Sequence, residues 1–166
     1  MKLYLRPLSK DDGKKIYDML QEIAPNDNGF HNEIHGVSYQ EFNLWLERNE
    51  GFSKGIGLED WMVPQTTYWL FNNQTPVGYG RIRHRLNESL KNNSGHIGYA
   101  LPISQRGKGY GNELLRLLLK ECSKMGIKPV QIGVNISNIP SNRVVQHNGG
   151  VLVKVTENKN IYHINM

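Results

Sequence analysis

Arg106-Gly107-Lys108-Gly109-Tyr110-Gly111 sets three glycines at alternate positions directly ahead of an apolar-periodic segment. Glycine permits a tight turn that leaves successive backbone N–H groups facing one point, and a helix N-terminus adds partial positive charge there. Together they make a seat for phosphate oxygens. The spacing is neither the Walker A loop nor the GxGxxG dinucleotide fingerprint, which removes two competitors. A second group lies upstream. Arg81, Arg83 and Arg85 alternate, so a strand presents them on one face, and guanidinium groups grip carboxylates in a bidentate way that lysine does not match. A solvated face paired with Glu22, Glu41 and Glu47 is the alternative. On the strands of this stretch His84, His96 and Tyr99 are the candidate proton carriers, because Glu88 is the only acidic residue between Gln74 and Asn112. Histidine is the side chain suited to moving protons near neutrality.

These residues need a frame. Residues 2–6 alternate as an opening strand. Ser9 and Asp12 mark a helix start, with Ile16, Met19, Leu20 and Ile23 on one face. Residues 24–36, rich in Pro, Asn and Gly, read as a loop. Ser38-Tyr39-Gln40-Glu41 is a capping box for a second helix carrying Phe42, Leu44, Trp45 and Leu46, and residues 51–57 break it. Strands follow at 66–71 and 77–86 around the Asn72-Asn73-Gln74-Thr75-Pro76 turn, then a polar connection at 87–93 and a strand at 95–101. Gly78, Gly80, Gly95 and Gly98 sit within these strands, where a bulge or close approach of a ligand is expected. Residues 109–125 form the strongest helix, with Leu114, Leu115, Leu118, Cys122 and Met125 at helical spacing and Gly126 as its stop. Cys122 on that stripe is read as core. A strand at 130–134, a helix at 141–147 and a hairpin of 151–156 with 161–165 complete the chain. This order predicts one α+β domain over residues 1–166, with a mixed central sheet flanked by helices.

The gross numbers agree. A chain of 166 residues buries a continuous core as one domain. Its hydrophobic fraction of 38% comes in short periodic blocks, and no apolar stretch reaches the roughly 18 residues of a membrane span. A single cysteine excludes an intramolecular disulfide and suits a reducing compartment, and residues 1–6 show no signal-peptide run, so the cytoplasm is the expected location. The formal charge of +5 suits a phosphorylated ligand but has no basic run that points to nucleic acid. No metal site and no membrane contact are expected.

The glycine loop resembles the signature of the GNAT superfamily of N-acetyltransferases: Arg or Gln, two residues, Gly, one residue, then Gly or Ala before a long helix. Arg106, Gly109 and Gly111 match it in place. The resemblance implies that the backbone of Arg106, Gly107, Lys108, Gly109, Tyr110 and Gly111 holds the pyrophosphate of acetyl-CoA. It also implies that the Leu101 N–H meets the thioester carbonyl and that Ile103 adds a backbone contact to the pantetheine arm. A second block agrees, with Asn138, Ser141 and Gly149 at the family's spacing. Asn138 and Ser141 then line the coenzyme site, and Arg143 reaches a phosphate. The sequence looks like an uncharacterised bacterial subgroup of that superfamily, carried by the segments around Arg83, Tyr99 and Trp61.

Two departures bear on mechanism. The tyrosine that many members place four residues before the terminal glycine, as acid for the thiolate, is Val145 here, and the usual carboxylate base is missing from the central strands. The acceptor amine must lose a proton before it attacks the thioester. His96, on the strand leading to Leu101, is the first candidate base and His84 the second, with a histidine bonded inside the sheet as the other reading of His96. Arg81, Arg83 and Tyr99 are the candidate acceptor contacts. The expected activity is transfer of acetyl from acetyl-CoA to a primary amine, on a small molecule or a protein N-terminus, by direct attack in a ternary complex. A binding module without turnover is the alternative, and a homodimer is left open.

Overall fold

The computed structural model of the chain describes residues 2–166. Its elements run β1 (Leu3–Pro7), α1 (Lys14–Gln21), β2 (Asn26–Asp27), β3 (Phe30–His31), α2 (Tyr39–Ser53), β4 (Gln65–Asn72), β5 (Thr75–Arg83), α3 (Glu88–Asn93) and β6 (Ile97–Ala100). After a single 3-10 turn at Ile103–Gln105 come α4 (Tyr110–Lys124), β7 (Val130–Asn135), α5 (Ile139–His147), β8 (Val151–Val155) and β9 (Lys159–Ile164). The α+β class holds.

Two antiparallel sheets meet at a seam. One has the order β1-β4-β5-β6 and the other β7-β9-β8. Between them, the His96 N–H donates to the Gln131 carbonyl at 2.7 Å and the Gln131 N–H donates to His96 Nδ1 at 3.0 Å. The mixed sheet expected from the sequence is not found among the described residues: every ladder is antiparallel, and the two sheets join only through these seam bonds. Glycine makes the junction possible. A β-carbon on Gly95 would stand 2.2 Å from the Gln131 oxygen, and one on Gly133 would stand 3.2 Å from the Ser94 α-carbon. Beyond the seam β6 and β7 part, leaving an open cleft.

The core is divided by the first sheet. On one side α4 contributes Leu114, Leu115, Leu118 and Cys122 to a cluster with Leu70, Ile82, Ile132 and Tyr162. On the other, α1 and α2 pack Leu20, Phe42 and Trp45 against Trp69 and Tyr79. Cys122 is fully buried, as its place on the α4 stripe required. The expected bulge lies beside Gly78, where the β4–β5 register shifts between Leu70 and Phe71, and Gly80 and Gly98 serve this packing. A β-carbon at Gly80 would lie 2.8 Å from Leu118, and one at Gly98 would lie 3.2 Å from the Phe30 ring.

Several expected boundaries shift. Asp12 does not open α1; the N-cap is Gly13. Asp12 is instead buried and accepts from Trp69 Nε1 at 2.8 Å while pairing with Arg6 at 2.6 Å. Residues 24–36 are not a plain loop, because β2 and β3 form a small hairpin whose Phe30 is buried. Gly51 is helical and α2 runs on to Ser53. The polar connection at 87–93 is helix α3, with the Asn87 side chain accepting from the Leu90 N–H. At the far edge, all five residues of β8 are exposed.

Candidate active site

The glycine loop sits between the 3-10 turn and α4. Gly107 and Gly109 have φ of 75° and 81°, a left-handed conformation that a side chain makes costly, and open space surrounds both. Gly109 caps α4. Gly111 serves packing instead. Its missing β-carbon lets α4 approach Val144 of α5, 3.4 Å from where that carbon would be. Tyr110 turns its ring into the core, where its hydroxyl accepts from Asn72 Nδ2 at 3.1 Å, so any phosphate contact from it is a backbone one. Arg106 is exposed, but its guanidinium is tied down. Its Nε donates to the Leu101 carbonyl at 3.2 Å and its terminal nitrogen to Asp27 at 3.0 Å, which ties the loop to the β2–β3 hairpin. Lys108 reaches Gln105 at 3.3 Å. Ile103 is exposed on the turn, and Leu101 packs partly against the α4 cluster.

The cleft between the sheets begins where β6 leaves β7. Gly98 and Tyr99 form one wall, Ile132 and Gly133 the other, and Asn138 and Ser141 stand at its α5 end. Asn138 caps α5 by accepting from the Ser141 N–H at 3.3 Å. The Tyr99 and Ser141 hydroxyls are 2.8 Å apart. Burial pushes the Tyr99 phenol up to about 12, against a smaller opposing effect of Ser141, so it stays protonated. Arg143 is exposed on α5. Val145 is fully buried, and Gly150 is pressed so closely on it that a β-carbon there would lie 2.6 Å away. An aromatic acid has no room at that position.

On the α1 and α2 side, a cavity of about 430 Å³ opens beneath Trp45, Phe52 and Tyr79 and carries Glu33 and Glu59 on its wall. Arg81 and Arg83 line both this cavity and the cleft. The Arg81 guanidinium lies 4.6 Å over the Phe30 ring. Arg83 donates to Ser94 Oγ at 3.2 Å and the Gly95 carbonyl at 2.9 Å. Burial, with Arg81 beside it, draws the Arg83 pKa down to about 10. The alternative of pairing with helical carboxylates is not realised: among the described residues no ion pair includes Arg81, Arg83 or Arg85.

The histidines depart from expectation. His96 is buried at the seam with Nδ1 engaged by the Gln131 N–H, and desolvation first, then the charges of His163 and Arg83, lower its pKa to about 4. A base titrating near 6.5 is therefore not what stands here; the in-sheet reading of His96 holds. His84 lies past the end of β5 with its Nε2 2.7 Å from Thr66 Oγ1 and its pKa lowered by burial, and it lines neither the cavity nor the cleft. Tyr99 is separated from the arginines it was grouped with. It pairs with Gly80 and Arg81 pairs with Gly98, so their side chains leave opposite faces of the sheet. Glu33 on the cavity wall, and Asp27 and the half-buried Lys159 at the cleft, were missed by sequence reasoning. The first two lie in residues 24–36, where no periodicity marks them.

Among the described residues no helix is long and apolar enough to cross a membrane, and no group of three or more His, Cys, Asp or Glu is placed to hold a metal ion. The family model for the acetyltransferase (GNAT) domain matches residues 2–151. A comparison with curated protein sequences gives no match. Among solved structures the chain is similar to RimL, a ribosomal alpha-N-protein acetyltransferase in complex with coenzyme A, at 17% identity and a TM-score of 0.73, with 100% of this chain and 95% of that one covered. It is also similar to the N-acetyltransferase PseH of Campylobacter jejuni with acetyl coenzyme A, at 11% identity and TM-score 0.67, covering 99% of each chain. A third is the GNAT domain of PAT from S. lividans, at 12% identity and TM-score 0.69, covering 98% of this chain and 89% of that one.

Proposed function

The chain belongs to the acetyltransferase (GNAT) domain family and is an acetyl-CoA-dependent N-acetyltransferase, and on that premise we propose that it moves the acetyl group directly to a primary amine with both substrates bound together. The observation that carries this reading is the continuity of two compartments. The cleft between β6 and β7 and the cavity on the α1 and α2 side share Arg81 and Arg83 as a common wall. An acyl donor in one and an amine in the other meet without a covalent enzyme intermediate.

The residues fit the coenzyme. Backbone N–H groups of residues 107–111 and the N-terminus of α4 offer a seat for its pyrophosphate, since the left-handed glycines keep β-carbons away from that surface. Acetyl-CoA supplies an activated acyl carbon and a thiolate that leaves readily. The chain orients and handles protons. Glu33, on the cavity wall and close enough to Tyr79 for its charge to be felt there, takes the proton of the incoming ammonium, directly or through a water. This assigns to a carboxylate the role expected of His96 or His84. The Tyr99–Ser141 hydroxyl pair keeps an O–H in the cleft for the departing sulfur, in place of the absent tyrosine at position 145.

Release of free thiol from acetyl-CoA across a panel of primary amines, including peptide N-termini, is the direct test. Turnover with at least one amine is expected. Glu33→Gln is expected to lower kcat by about a hundredfold or more. Gly109→Val is expected to weaken acetyl-CoA binding about tenfold or more in calorimetry, about 1.4 kcal/mol. Tight coenzyme binding with no thiol release from any amine would leave a binding module, and unchanged affinity in Gly109→Val would remove the phosphate seat.

A further inference from the structure

Among the described residues, Arg81 and Arg83 are cations without counter-ions. Both project from β5 onto the α1 and α2 face, two residues apart, at the wall shared by cleft and cavity. Arg81 has its Nε buried with no hydrogen-bond partner. Its guanidinium rests on the Phe30 ring, a contact that holds the group in place without neutralising it. The two partners of Arg83, Ser94 Oγ and the Gly95 carbonyl, are both neutral, and burial disfavours its charge. Lys159 adds a third cation to the same cleft. Asp27, the acidic residue of that lining, is already paired with Arg106 at 3.0 Å. Gathering desolvated cations with an orphaned donor costs stability unless something of opposite charge completes the site. The rest of the cavity carries Glu33 and Glu59 among Trp45, Phe52 and Trp61, so the site combines both charge signs with apolar walls.

We propose that the acceptor is a primary amine of amino-acid size that bears a carboxylate, and that Arg81 and Arg83 hold this carboxylate while the ammonium faces the acidic wall. The inference rests on the acetyl-transfer reading of the same site. A cavity of about 430 Å³ matches a single small ligand and not an extended polymer. Paired guanidinium groups give a carboxylate charge-assisted bonds that a neutral hydroxyl cannot replace, and aromatic side chains suit an apolar substituent.

The test pairs each acid with its decarboxylated amine, phenylalanine with phenethylamine and leucine with isopentylamine, in wild type, Arg81→Gln and Arg83→Gln. The acid is expected to be preferred by about tenfold or more in kcat/KM, the loss of one charge-assisted contact. In Arg81→Gln the preference is expected to disappear through KM, with acetyl-CoA affinity unchanged in calorimetry. Equal rates for acid and amine, unaltered by Arg81→Gln, would overturn the proposal. So would a loss of acetyl-CoA affinity in Arg81→Gln, since the arginines would then serve the coenzyme. Calorimetry of 3-phenylpropionate on the enzyme with coenzyme A present stands apart from turnover. Affinity that falls in Arg81→Gln supports the carboxylate site even if no amine is acetylated, and that second outcome would strike only the transfer reading. Saturable affinity for inorganic phosphate with none for 3-phenylpropionate would overturn the assignment of the anion. Arg83→Gln, whose side chain also holds Ser94 and Gly95, is read only where circular dichroism matches wild type.

Discussion

Replacing Gly95 by alanine attacks the point where the two sheets join. The added methyl would meet the Gln131 carbonyl oxygen at 2.2 Å, the Gln131 carbonyl carbon at 2.7 Å and the Ile132 α-carbon at 2.9 Å. All three are backbone atoms, so no side chain can swing aside to make room. Reaching ordinary contact, 3.4 Å or more, requires the strands to separate by about 1 Å, which breaks the 2.7 Å and 3.0 Å bonds of the seam. Each of these is worth about 1 kcal/mol net, and each leaves a buried group unsatisfied at a further cost of about 1–3 kcal/mol. The expected loss is about 4–8 kcal/mol for the two bonds together, a large share of the roughly 5–15 kcal/mol that stabilises a domain. Urea unfolding followed by circular dichroism measures it. Gly13→Ala is the control, because nothing lies within 4 Å of its new methyl, and it is expected to stay within about 1 kcal/mol of wild type. If Gly95→Ala loses less than about 1 kcal/mol, the net worth of a single hydrogen bond, the seam is soft and the account of the cleft's origin is wrong.

Three further expectations concern buried groups. His96 has a folded pKa of about 4, below its value of 6.5 in the unfolded chain. The unfolded state therefore binds the extra proton between these values, and stability falls as pH drops from about 6.5 to 4, by on the order of 2 kcal/mol. A plot of unfolding free energy against pH should lose most of that slope in a folded His96→Gln variant, and an unchanged slope would place the titrating group elsewhere. Cys122 is fully buried and its thiol is raised to about 12 by desolvation, so a chromogenic disulfide reagent should react only on unfolding; rapid labelling of the native protein would contradict its place in the core. Asp12→Ala removes the acceptor of the buried Trp69 indole and the partner of the partly exposed Arg6, with an expected loss of about 1–3 kcal/mol, chiefly from the unsatisfied indole N–H, measured by denaturant titration.

What the sequence made legible is what local rules govern. The glycine loop could be read because its chemistry is written in six consecutive residues, and α4 because its apolar stripe repeats over fifteen. The small helix α3 was also readable, from an Asn87 cap overlooked among polar neighbours. Other features depend on partners far along the chain. Gly80 is glycine because of Leu118, and His96 is kept neutral by burial where two strands distant in sequence meet. The hairpin that brings Glu33 towards the site is fixed by Asn135, whose side chain donates to the Asn28 carbonyl at 2.8 Å, and by the Arg106–Asp27 pair. No pattern within residues 24–36 encodes those ties, so carboxylates that line the cavity looked like loop residues.

The uncovered strand β8 has a consequence for the protein in concentrated solution. It lies at the sheet's outer edge, beside β9 alone, with Val151, Leu152, Val153 and Val155 each at least half exposed. An edge of unpaired backbone groups bordered by apolar side chains is a template for a foreign strand, and charge is the usual deterrent. Within β8 that deterrent is Lys154 alone. Lys154→Val is expected to produce light scattering that grows with protein concentration, whereas Val153→Lys should raise solubility and leave thiol release unchanged. Equal scattering from all three proteins would mean that the exposed edge is already guarded by its twist and shortness, and colloidal behaviour would then be governed by another part of the surface.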